Sequence, residues 1–138
     1  MSSRLTALEL MPSWIIWFSM LAGNVILQLN IWDGLPHEPN QGHPPILFLM
    51  MSFAGIVIST VIRWLILPKA KSFQSMQVMM VIGLAFAESA GMFEMFLIGS
   101  KFPETQRLLF CLSVAAILQF IPLYASSLNL DGRDENSI

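Results

Sequence analysis

The sequence predicts an all-α fold, a polytopic transmembrane four-helix bundle, and three observations carry that expectation. Of 138 residues, 55% are hydrophobic and only 12% charged, about half the charged share of an ordinary soluble domain. The charges are segregated into tails and connections, leaving Arg63, Glu88 and Glu94 inside apolar runs. Four such runs occur, each close to the roughly 20 residues that a helix rising about 1.5 Å per residue needs to cross about 30 Å of hydrocarbon. Helices satisfy their own backbone in lipid, and the runs are too long for the short alternating segments of a transmembrane barrel.

The first span is WIIWFSMLAGNVILQLNIW, residues 14–32. Pro12 precedes it, and a proline's missing amide donor costs little at a helix start. Further apolar runs follow and no small-x-small cleavage site is present, so the segment reads as a retained span and not as a signal peptide. Asn24 and Gln28 are four residues apart and share a helical face. That face should look toward the bundle, another subunit or a lipid headgroup, because unpartnered amides are costly in hydrocarbon.

The second span, residues 46–67, is bounded by Pro44 and Pro45 before it and Pro68 after it. Ser52, Gly55, Ser59 and Arg63 recur at steps of three and four and form a small-to-polar stripe that lets another backbone approach closely. Arg63 sits about one turn inside the span's end, where its stem can snorkel.

The third span, residues 77–99, holds the least ordinary pattern. Gly83, Ala87 and Gly91 repeat in steps of four and, with Ala90, make a close-packing surface. Glu88 lies beside that surface near the centre of the span. An ionised carboxylate facing lipid at this depth costs several kcal/mol, so it calls for a proton, a cation or polar company. Glu94 is six residues on, roughly 9 Å in rise and about 120° around the axis. The two carboxylates are therefore no clasp for a metal, and hydration at the nearby interface is expected for Glu94.

The fourth span, residues 104–124, starts after Pro103, with Glu104 favourable at the positive helix end. Pro122 should kink or end it. Gln119 is its internal polar residue, with the small Ala115 on the same side. Residues 1–138 form one membrane domain, with residues 126–138 as a polar tail. The short connections between spans two and three and between three and four force antiparallel neighbours.

If the helices are suitably rotated, Asn24, Gln28, Ser59, Glu88 and Gln119 converge on a proton or cation site. A proton or sodium ion is then the candidate occupant; no organic cofactor is expected. Basic residues set the orientation. Arg4, Arg63, Lys69, Lys71 and Arg133 collect on the side of the termini, against Lys101 and Arg107 opposite, and the connection DGLPHEPNQGHPP has neither Lys nor Arg. Both termini are expected in the cytoplasm, in the inner (plasma) membrane of a bacterium.

GLAFAESAGMFEMFLIG, residues 83–99, resembles the second helix of the proteolipid c subunits of rotary ATPases, where an alanine-rich stretch surrounds a proton- or sodium-binding carboxylate. The resemblance implies that role for Glu88, flanked by Ala87 and Ala90. It covers about one eighth of the chain, and the family's alternating Gly-x-Gly-x-Gly run is absent from the first and third spans. The chain as a whole resembles a bacterial four-span membrane family to which no substrate is attached.

Other functions are excluded by what is missing. A net charge of -2 without a basic run gives no nucleic-acid footprint. No phosphate loop, HExxH or paired cysteine framework occurs, and no set of nucleophile, base and oxyanion donors identifies an enzyme. Asp33, His37, Glu38 and His43 lack the spacing of a metal motif, so no metal site is expected. Cys111 and the methionine clusters read as packing residues, and Trp14, Trp17, Trp32 and Trp64 suit interfacial belts. The expected function is a noncatalytic membrane assembly or accessory subunit, partnered by lipid and by itself or other membrane subunits. The rival is a component of a proton or cation channel or transporter.

Overall fold

The computed structural model describes residues 7–32 and 42–123. Among these residues there are four α-helices: α1 (Ala7–Trp32), α2 (Ile46–Val61), α3 (Phe73–Phe93) and α4 (Pro103–Leu118). α2 runs on through a π-helical turn, Ile62–Ile66, and a 3-10 turn, Leu67–Lys69; α3 does the same through Glu94–Ile98 and Gly99–Lys101. Three helical segments are long and apolar enough to cross a bilayer: Leu8–Asn30, Ile46–Lys69 and Phe73–Ile98. α4 has 16 residues, about 24 Å of rise. Large apolar side chains such as Ile15, Phe18, Val57, Val78 and Phe96 stand exposed on the outside, a surface that only lipid or a partner tolerates. The protein is a multi-span helical membrane protein.

Local chemistry moves the helix ends from their expected positions. α1 begins at Ala7 and takes Pro12 into its interior, with the ring on the exposed side. α3 begins at Phe73 because Ser72 caps it, its hydroxyl accepting from the Ser75 amide at 3.2 Å. Gly99 ends the π turn of α3 at φ +33°, a conformation that suits glycine. Pro103 then opens α4 at once. α4 stops at Leu118, short of the expected 124, because Pro122 has no amide to give the Leu118 carbonyl. The turn tightens instead, with Phe120 N donating to Ile117 O at 3.0 Å and Ile121 N to Leu118 O at 3.1 Å. The expected polar tail, residues 126–138, lies outside the described residues, as do Asp33, His37, Glu38, Arg4 and Arg133.

α3 is the central helix. α2 and α4 both run antiparallel to it, and α1 runs parallel to it in contact with both α3 and α4. Ser52, Gly55, Gly83, Ala87, Ala90 and Gly91 are all buried. At Gly55 a Cβ would come within 2.8 Å of the Phe86 carbonyl and 3.1 Å of Ala90 Cβ, so α2 and α3 meet nearly backbone to backbone. Gly83 leaves the space that the Phe120 ring fills. Met76, Met80, Leu84, Ile117 and Phe120 are fully buried together and form an apolar block in the half of the bundle nearer the connection between α2 and α3.

Candidate functional site

Two groups of polar side chains link the helices, one at each end of the bundle. The first lies where α4 unwinds. Two carbonyls there accept from side chains of other helices: Trp17 Nε1 donates to Ile117 O at 3.0 Å, beside the Phe120 amide, and Arg63 Nε to Gln119 O at 2.6 Å. The Gln119 side chain is used as well, accepting from Trp64 Nε1 at 3.1 Å and donating to Thr60 Oγ1 at 3.3 Å. The Arg63 guanidinium also lies 5.0 Å from the centre of the Trp64 ring. A cation at the negative end of a helix is favourable, so this group holds α1, α2 and α4 together.

The second group lies at the end holding the Gly99–Lys101 turn. Gly91 has no side chain, and a Cβ there would meet Asn24 Nδ2 at 2.6 Å and Ser113 Oγ at 2.9 Å. That space lets Asn24 of α1 reach across to α4, its Nδ2 donating to Ser113 Oγ at 3.4 Å, while Ser113 Oγ donates to the Ala87 carbonyl at 2.9 Å. One turn along α1, Gln28 accepts from Gln106 Nε2 at 3.4 Å. Ala87 and Ser113 fix the antiparallel register of α3 and α4. Glu94 is seven residues after the first and Gln106 seven before the second, so Glu94 stands level with Gln106.

Glu94 is 1% exposed, and neither carboxyl oxygen has a hydrogen-bond partner. Asn24 Oδ1 and Gln106 Oε1 are also buried without partners. The hydration expected for Glu94 is therefore not found. α3 continues past it through the π turn, and α4 folds back directly over it from Pro103. π-Helical turns are frequent at functional sites. This end of the bundle thus holds one buried carboxyl group together with neutral amides and a hydroxyl. Turning an amide about its terminal bond presents either an oxygen or an NH2 group to the carboxyl. Such a set suits a proton or one monovalent cation; a divalent ion usually draws on more carboxylates. Among the described residues no group of three His, Cys, Asp or Glu side chains could hold a metal, and His43 is exposed.

The five residues expected to converge do not form one cluster. Asn24 and Gln28 join the second group, Gln119 belongs to the first, and Ser59 is buried on α2 with its hydroxyl unpartnered. Glu88 is half-buried on the flank of α3. Arg63, the secondary candidate, caps α4. Gln106 and Ser113 were not singled out from the sequence. Their signal was the apolar stripe they share, since Gln106, Leu109, Ser113, Ala116 and Phe120 recur at steps of three and four and all are buried.

Comparison of the chain with protein-family models, with characterised proteins and with solved structures gives no match. The likeness of residues 83–99 to the rotary c-subunit helix thus rests on that local pattern alone.

Proposed function

We propose that this membrane protein is a noncatalytic bundle that binds a proton or a monovalent cation at Glu94 and serves as an accessory component of an ion-coupled membrane assembly. The observation that carries the reading is the buried Glu94 carboxyl, whose two oxygens lack partners at the end of the bundle that also holds Asn24, Gln28, Gln106 and Ser113. An ionised carboxylate left alone in such surroundings costs several kcal/mol, so an occupant has to complete it. The apolar block of Met76, Met80, Leu84, Ile117 and Phe120 lies between this group and the opposite end. That supports an ion that enters and leaves on one side, and it favours binding over passage through the chain.

The test is infrared spectroscopy on the purified protein in lipid nanodiscs. At constant pH, sodium should remove the carbonyl band of a protonated carboxyl group, and Glu94→Gln should abolish that change. A band that responds to pH and not to sodium would restrict the occupant to the proton. A wild-type spectrum indifferent to both, or a response that survives in Glu94→Gln, overturns the reading.

The reading includes α4 as a fourth crossing. Leu108, Cys111, Ala115 and Leu118 recur at steps of three and four and are exposed, an apolar strip suited to lipid. Cys111 is the one cysteine in the chain. Facing hydrocarbon, its thiol stays protonated, so in intact vesicles it should resist maleimides and react only after dodecyl sulfate exposes it; ready reaction with a maleimide in intact vesicles would move this face of α4 out of the hydrocarbon. Arg63, Lys69 and Lys71 support a cytoplasmic location for the end where α2 meets α3.

A further inference from the structure

We infer that the flank of α3 carrying Glu88 is a docking surface for a transmembrane helix of another membrane protein, one that presents a lysine or arginine at mid-membrane depth. The position comes first. In the span Phe73–Ile98, Glu88 lies about 4 Å of rise from the midpoint. It follows Gln77 by eleven residues, close to three whole turns, so the two share one stripe of α3. Gln77 Nε2 donates to Ser13 Oγ of α1 at 3.4 Å, which places that stripe on the side of α3 nearest α1.

The seam is open at the level of Glu88. Gly91 touches Asn24 one turn further along, so Glu88 is level with the turn of α1 just before Asn24. There Gly23 has no atom within 4 Å of the position a Cβ would take. Ala85 and Met92, one turn before and one turn after Glu88 on the same face, are both exposed. Glu88 is half-buried, and no hydrogen bond or ion pair to it is formed among the described residues. The result is a notch with a carboxyl group on the lipid-facing side of the bundle.

Charge complementarity selects the occupant. Against an apolar helix the carboxyl group would have to stay protonated, whereas a basic side chain supplies both the opposite charge and the hydrogen bonds that let it ionise. A second copy of this chain does not meet the requirement. Of its spans' basic residues, Arg63 lies near the end of α2 and is held by Gln119, Arg107 lies one turn inside the start of α4, and Lys69, Lys71 and Lys101 lie at or beyond helix ends, all away from mid-membrane depth. The partner is therefore a different protein. This surface is separate from the Glu94 group and does not depend on it.

The experiment measures energy transfer in lipid vesicles between the labelled full chain and synthetic leucine-alanine transmembrane helices bearing a single central Lys, Leu or Glu. The Lys helix should associate about tenfold more tightly than the Leu helix, the order of one good interhelical polar contact in a bilayer. Glu88→Gln should erase that preference, and Glu88→Lys should transfer it to the Glu helix. Glu94→Gln should leave it intact, which separates this inference from the ion-binding reading. Circular dichroism matching wild type establishes that each variant is folded. Equal association of the Lys and Leu helices, a Lys preference that survives in Glu88→Gln, or displacement of every peptide by self-association would overturn the proposal.

Discussion

The two polar groups at the ends of this bundle each bring neutral polar side chains together with one charged side chain, but they differ in how completely they are bonded. Around Arg63 the side chains of Trp17, Thr60, Trp64 and Gln119 all take part in hydrogen bonds, and the carbonyls of Ile117 and Gln119 are met as well. Around Glu94 four buried oxygens have no partner, two on Glu94 itself and one each on Asn24 and Gln106. In a bilayer, where water cannot make up a missing bond, a completed group is a structural fastening and an incomplete one needs an occupant. On the ion-binding reading proposed above, the difference separates stability from function within one small bundle.

The largest expected effect breaks the completed group. Combining Trp17→Phe with Arg63→Met leaves the carbonyls of Ile117 and Gln119 without their side-chain donors. Ile117 O keeps its bond from Phe120 N, so the first loss costs about 0.5–1.5 kcal/mol and the second about 1–3 kcal/mol, and the pair should lower resistance to unfolding in a titration with dodecyl sulfate by roughly 2–4 kcal/mol. A change below about 1 kcal/mol would show that these contacts fasten nothing.

At the incomplete group the sign should reverse. Glu94→Leu removes two unmet oxygens and keeps a side chain of similar size. In sodium-free buffer it should raise resistance to unfolding by about 1–3 kcal/mol. Sodium should then narrow the gap by stabilising only the wild type, by about 2.7 kcal/mol at one hundred times the dissociation constant. Destabilisation by Glu94→Leu in both buffers would make Glu94 a structural residue like Arg63.

Gly91→Ala is intermediate. The added methyl group would press on Asn24 Nδ2 and Ser113 Oγ, spreading α1 from α4 at a cost of about 1–3 kcal/mol. The same displacement should weaken sodium binding measured by calorimetry. Weaker folding with unchanged binding would mean that Asn24 and Ser113 take no part in holding the ion.

How much of this was readable from the sequence depended on whether a feature is local or relational. The apolar runs, the prolines at α2 and α4 and the small-residue positions Gly55, Gly83 and Gly91 are properties of one segment, and they fixed helix count and order. The side on which Glu94 would face was relational. Sequence distance put it near an interface, and its burial depends on how α2 and α4 pack against the Glu94–Ile98 turn. Gln119 was misleading for a related reason. It belongs to the same polar class as Asn24 and Gln28, but the proline three residues later breaks α4 there and commits Gln119 to its own broken helix end.

The smallest effect tests whether polarity or size matters in the stripe on α2. Ser52 and Ser59 are fully buried, and neither hydroxyl has a partner, as at Glu94. Yet a hydroxyl is neutral and small, and both residues lie on the face where α2 and α3 approach backbone to backbone beside Gly55. If their part is to be small, Ser52→Ala and Ser59→Ala should change stability by no more than about 0.5 kcal/mol. Ser52→Val and Ser59→Val should each cost about 1–3 kcal/mol by forcing the helices apart. Sodium binding should be untouched by the alanine variants. If Ser52→Ala instead weakened it, the Glu94 group would extend across α3 to α2, and the line between a packing seam and an ion site would have to be redrawn there.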